Sequence, residues 1–192
     1  MRSLKSIHYI YIMVFTLCLL ACCKEAVDDP NTTTKEINGP FTAKVDGTQF
    51  PTTNAGATYT PSMKMLQISG VTKDNRETII LTLTRMLDPN ITGWGDWKAQ
   101  TFELTSSIPN GAGSYITAVQ YNKYNDNIPG YEMWQNDKSK SPQIGRIIIT
   151  EIKDKHIKGT FFFESYKFTG SYDHNNIKEI KEGTFDLDVT IK

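Results

Sequence analysis

From Phe41 to Lys192 apolar and polar residues alternate in short bursts. Phe41, Ala43 and Val45 alternate with Thr42, Lys44 and Asp46, the period of a strand with one buried face. Asp46-Gly47 supplies the two positive-φ positions of a tight hairpin, and Thr48-Gln49-Phe50 begins the return. Pro51 and the run from Asn54 to Gly56 loosen the chain before Met65 to Val71, where Leu66 and Ile68 share a face. Lys73-Asp74-Asn75 turns it into Thr78 to Thr84, with Ile79, Leu81 and Leu83 inward. Shorter strands are predicted at Thr101 to Leu104 and Tyr115 to Tyr121.

The longest β signal is Gly145 to Phe168. Ile147 and Ile149 share a face and Ile152 falls out of phase, which predicts a bulge. A turn at Asp154-Lys155-His156 returns the chain through Ile157, Gly159, Phe161 and Phe163. Phe185, Leu187, Val189 and Ile191 then alternate with Thr184, Asp186, Asp188 and Thr190. No amphipathic run of 12 or more residues follows helical spacing. The pattern predicts an all-β domain over 41–192: an antiparallel β-sandwich, or a closed or partly open β-barrel, of about 8–10 strands.

Ahead of this domain the pattern changes. Arg2 and Lys5 precede an apolar run from Ile10 to Leu20, and Leu19-Leu20-Ala21-Cys22 closes it. A basic start, a short apolar stretch and a small residue before the cut make residues 1–21 a signal peptide. The stretch is short of the roughly 20 apolar residues that span a bilayer. An ordinary cleaved leader is the other reading, but Leu19, Ala21 and Cys22 resemble the bacterial lipobox. That resemblance implies cleavage before Cys22 and diacylation of its sulfur. Cys18 and Cys23 are poor sites, following Leu17 and Cys22.

Residues 22–40 hold only Val27 and Ile37 as sizeable aliphatics, broken by Pro30, Asn38-Gly39 and Pro40. They read as a lipidated flexible tether that reaches at most about 60 Å when stretched. Glu25, Asp28 and Asp29 weakly resemble the acidic surface-targeting signal of some Bacteroidetes lipoproteins; a merely solvated linker is the alternative.

Charge excludes one class of partner. The chain has 21 basic and 21 acidic residues, and removing the leader leaves it slightly acidic, without the basic face that nucleic acid demands. No cysteine follows Cys23, so the domain must hold together without disulfides.

A family resemblance rests on Phe41-Thr42-Ala43-Lys44-Val45-Asp46-Gly47 with Phe50, on Gly145 to Ile152, on Ile157-Lys158-Gly159-Thr160-Phe161-Phe162-Phe163, and on Glu182-Gly183-Thr184-Phe185. These are similar to an uncharacterised Bacteroidetes lipoprotein family in which a VDG hairpin opens a β domain and an I-x-G-x-F-x-F strand lies near its end. The resemblance implies the fold over 41–192 and a lipid anchor. It carries no catalytic or binding residues.

Candidate chemistry is thin. His156 and His174 fall in predicted turns, without zinc spacing. Gly111-Ala112-Gly113-Ser114 lacks both the nucleophile-elbow frame and the third glycine of a dinucleotide loop. Asp74, Asp126 and Asp137 lie in loops outside any calcium-loop frame and read as surface charge. No metal or cofactor is expected.

Five aromatics lie off the strand pattern, in irregular stretches rich in polar residues and glycine: Trp94, Trp97, Tyr124, Tyr131 and Trp134. They either cap the ends of the domain or offer flat faces to a glycan or an envelope protein. The expected function is that of an envelope lipoprotein anchored in membrane through Cys22, in the outer membrane of a bacterium, facing periplasm or surface. Its domain is expected to be a non-catalytic binding or bracing module. A small carboxylate-dependent hydrolase and a lipid-holding barrel are the alternatives.

Overall fold

The computed structural model describes residues 39–104, 113–127, 130–137, 139 and 144–192. Cys22, the leader and most of the tether lie outside the described residues. Eleven strands are present among them: β1 (Phe41–Val45), β2 (Thr48–Gln49), β3 (Thr52–Thr60), β4 (Met65–Thr72), β5 (Glu77–Thr84), β6 (Gln100–Glu103), β7 (Ile116–Tyr124), β8 (Tyr131–Gln135), β9 (Gly145–Lys153), β10 (His156–Phe168) and β11 (Tyr172–Ile191). The remaining regular pieces are single 3₁₀ turns at Pro61–Met63 and Trp94–Asp96. The fold is all-β, as the alternation predicts.

The strands form one sheet in the order β2-β1-β11-β3-β4-β5-β7-β8-β10-β9-β6, and β10 pairs additionally with β11. That last pairing closes a circuit through β11, β3, β4, β5, β7, β8 and β10. The long strands make closure possible. One edge of β11 runs beside β10 over most of its length, and the other pairs with β1 and then with β3. The domain is thus a partly closed barrel, or equivalently two sheet faces sharing β10 and β11.

Two details depart from the sequence reading. The β11–β3 pairing is parallel, Val189 opposite Ala57 and Ile191 opposite Tyr59, so the sheet is mixed rather than antiparallel. Asn54 to Gly56 read as a loosened stretch and His174 as a turn, yet they lie within strands β3 and β11. Their sequences are polar, but a strand is held by its backbone ladder, and β3 has β4 alongside from Thr52 to Thr60.

The hairpin of Met65 to Val71 with Thr78 to Thr84 forms in register, Leu66 against Leu83 and Ile68 against Leu81. The bulge anticipated from Ile152 is real. Lys158 faces Glu151 while Gly159 faces Ile149, so Thr150 is skipped. The core fills the barrel with Phe41, Phe161, Phe163, Phe185, Leu187 and the aliphatics of β4, β5 and β9. Ile191 is the exception to its strand's pattern and lies exposed at the chain's end.

Candidate functional site

Three strands change character on one face as they leave the core. On β5 the inward series Leu83, Leu81, Ile79 ends in Glu77. On β7, Val119 and Tyr121 give way to Lys123. On β11, Ile180 is preceded on the same face by Lys178 and Asn176. These meet the β1–β2 turn, where Asp46 and Gly47 take φ of 49° and 78°, as the Asp-Gly pair predicts. The result is a charged mouth at one end of the barrel, a cleft of about 230 Å³ lined by Asp46, Gln49, Glu77, Tyr121, Lys123 and Lys178. A second cleft, about 260 Å³ between the start of β1 and residues 49–55, has no charged group in its lining.

The mouth's charges are tied to one another. Lys123 Nζ lies 3.2 Å from Glu77 Oε1, Lys178 Nζ lies 2.5 Å from Asp46 Oδ2, and Lys167 pairs with Glu132. Burial acts to raise the Asp46 carboxyl, but the Lys178 ammonium and the Glu179 backbone N–H outweigh it and hold the group below the usual carboxylate range. The Lys167 hydrogen bond does the same for Glu132.

Beneath these pairs sits Trp134, its ring tilted at 40° against that of its cross-strand partner Tyr121 with centroids 5.5 Å apart. The ammoniums of Lys167 and Lys178 lie 5.5 and 5.7 Å from its ring centre, within cation–π range. Its indole N–H donates to Asn176 Oδ1 at 3.0 Å. Burial, with the Glu77 carboxylate next, pushes the Tyr121 hydroxyl far above the ordinary phenol range, so it remains a neutral donor.

A second aromatic pair stands on the outer face of the same hairpin. Tyr124 and Tyr131, also cross-strand partners, meet edge to face at 5.5 Å and are 37% and 56% exposed. Tyr131 Oη donates to the Asn75 carbonyl at 3.0 Å. The Arg76 guanidinium lies 5.7 Å from the Tyr124 ring centre and grips Asp126 with two hydrogen bonds. The pair is thereby fixed against the β4–β5 turn.

The family model for the domain of unknown function DUF6252 matches residues 38–187. The chain belongs to this family. No curated protein and no solved structure matches it. The parallel pairing of Val189–Ile191 with β3 lies beyond the span that DUF6252 covers.

Within this DUF6252 domain the five singled-out aromatics separate into two groups. Trp97 and Trp134 are 2% and 4% exposed and belong to the core, so neither ring has a face to give a ligand. Trp94 is half-buried, stacks on Trp97 at 6.3 Å and donates its N–H to the Asp154 carbonyl at 2.6 Å. Trp94 and Trp97 pack as the capping alternative has it, whereas Trp134 is a strand residue of the core. Tyr124 and Tyr131 keep open faces. Nor are Tyr124, Tyr131 and Trp134 loop residues: β7 and β8 carry them. β8 escapes a periodicity search because its Tyr-Glu-Met-Trp-Gln has no clean alternation and is five residues long.

The charged lining was missed for a different reason. Glu77 and Lys123 are in phase with the buried residues of their own strands, and a charge in such a position is the readable signal. Nothing local, however, says that the two strands bring them together.

The other carboxylates are structural or superficial. Asp74 accepts from Thr72 Oγ1 and the Arg76 N–H, closing its turn. Asp137 is not the surface charge its loop position implied: it is buried, accepts from the Ser139 N–H and hydroxyl, and lies 3.5 Å from His174 Nε2. Asp88 is buried beside Arg85. Burial acts to raise its carboxyl, yet the N–H groups of Asn90 and Gly113, with Arg85, keep it below the usual range. Among the described residues no group of three or more His, Cys, Asp or Glu is placed to hold a metal ion.

Proposed function

We propose that this chain is a lipid-anchored envelope protein whose DUF6252 barrel is a non-catalytic binding module, and that its charged mouth takes a neutral polar ligand, a glycan. The observation that supports this reading is the internal pairing of every lysine lining the cleft, Lys123 with Glu77 and Lys178 with Asp46. An ionic ligand must break such a pair to bind. A sugar hydroxyl need not, because it donates to a carboxylate and accepts from an ammonium while both stay charged. Tyr124 and Tyr131, on the outer face of the hairpin that carries Lys123, add an exposed aromatic face for a ring's C–H edge.

The hydrolase reading requires acids that exchange protons. Asp46 and Glu77 line one cleft, but each is held by its own lysine, an arrangement suited to fixing charge rather than moving protons. The lipid-holding reading requires interior space, which the phenylalanines occupy.

The test is retention of the purified chain on immobilised polysaccharides, with Tyr131→Ala and Lys123→Met beside the wild type. Reduced retention at unchanged melting temperature supports a glycan at the mouth. Equal retention by all three chains removes it, and capture of an envelope protein instead transfers the site to that partner. The anchor is checked separately: intact-mass spectrometry of the membrane-extracted protein should show diacylglycerol on Cys22 and loss of residues 1–21.

A further inference from the structure

Away from the mouth, the barrel is closed by a knot of aromatic rings around a buried ion pair. Tyr59 meets Trp97 edge-on at 5.9 Å and Trp94 at 5.5 Å, and Trp97 packs on Phe102 at 6.1 Å. The guanidinium carbon of Arg85 lies 5.9 Å from the Trp97 ring centre, and Arg85 Nη2 is paired with Asp88. Asp88 is otherwise filled by the N–H groups of Asn90 at 3.0 Å and Gly113 at 2.9 Å.

In this knot three polar atoms are fully buried without a hydrogen-bonding partner in the protein: Tyr59 Oη, Trp97 Nε1 and Arg85 Nε. Each belongs to a side chain touching another of the three. Folded chains rarely strand one such group, and three on side chains packed around Trp97 point to a shared partner. Two of them only donate; the hydroxyl both donates and accepts.

We propose that one structural water is bound among Tyr59, Trp97 and Arg85. Its two lone pairs accept from Trp97 Nε1–H and Arg85 Nε–H, and one of its protons goes to Tyr59 Oη. That arrangement gives each of the three atoms a partner and falls within the two to four bonds typical of a buried water. An anion fits less well, because Asp88 already neutralises Arg85. The water joins Arg85, Trp97 and Tyr59 into one hydrogen-bonded plug.

The full chain in detergent micelles, labelled at tryptophan indole nitrogen, tests this by water-selective NMR with the Trp97 resonance assigned through Trp97→Phe. A water cross-peak to the Trp97 indole proton is expected, and Tyr59→Phe should lower the melting temperature by about 2–4 °C, since it deletes one satisfied bond. Absence of the cross-peak overturns the proposal. So does a raised melting temperature in Tyr59→Phe, which is what removing an unsatisfied buried hydroxyl produces.

Discussion

Gly159 lies directly opposite Phe185 across the β10–β11 ladder, and a Cβ on Gly159 would fall 2.5 Å from Phe185 Cζ and 2.1 Å from the Ile148 carbonyl oxygen. Two residues along, the relation reverses: Phe161 faces Gly183, whose Cβ would lie 2.5 Å from the Phe161 ring. Gly159-Thr160-Phe161 and Gly183-Thr184-Phe185 are therefore one device written twice on antiparallel strands. Each phenylalanine lies over the other strand's glycine, and the two rings stack at 6.4 Å. Glycine here is a matter of space, not of backbone freedom.

The two glycines should respond differently to alanine. At Gly159 the clash includes backbone, which cannot move aside, so Gly159→Ala is expected to lose about 2–3 kcal/mol or more and Phe185→Leu should not rescue it. At Gly183 the three nearest atoms all belong to the Phe161 ring, so adding Phe161→Leu to Gly183→Ala should recover part of the loss. Urea unfolding of the four chains checks the pair. Equal rescue at both sites would contradict the account.

Core and rim aromatics on β8 should separate cleanly. Trp134→Ala empties a buried site and is expected to cost about 3–5 kcal/mol. Tyr131→Ala, three residues away and over half exposed, should stay within about 0.5–1 kcal/mol of wild type. Thermal melts measure both, and a large loss for Tyr131→Ala would make the rim structural.

His156 ties one band of stability to pH. Its Nδ1 and Nε2 lie 2.9 and 2.6 Å from Asp188 and Asp186, and these bonds, Asp188 first, raise its pKa. A raised pKa in the folded state means stabilisation that is complete below about pH 6.5, the unfolded value, and lost as pH rises through the folded value. The gap in melting temperature between wild type and His156→Gln should therefore be wider at pH 5.5 than at pH 9. The pair is solvent-exposed, so the gap will be small and will shrink in high salt.

Removing one half of the buried ion pair should depend on which half goes. Asp88→Ala leaves the Arg85 guanidinium uncompensated and strips the Asn90 and Gly113 N–H groups of their acceptor, for an expected loss of about 3–5 kcal/mol. Arg85→Met leaves Asp88 with both backbone donors and should lose less. Chemical denaturation orders the two, and the reverse order would show that Arg85 is the more deeply committed partner.

Local alternation determined the strands that have a buried face, because period two is written within a few residues. Ile79, Leu81 and Leu83 announced β5; Asp46-Gly47 announced its hairpin; and Ile152, out of phase, announced the skipped Thr150. Tertiary structure alone decided the rest. The polar half of β11 is a strand because β10 lies alongside it, and the barrel closes because Val189–Ile191 reaches β3 over a hundred residues away. Likewise Trp134 is inside and Tyr131 outside because their hairpin has two faces, and only the neighbours packed against each face fix which one is wet. Backbone pairing at such separation leaves no mark in the residues that make it, since every residue carries the same donor and acceptor.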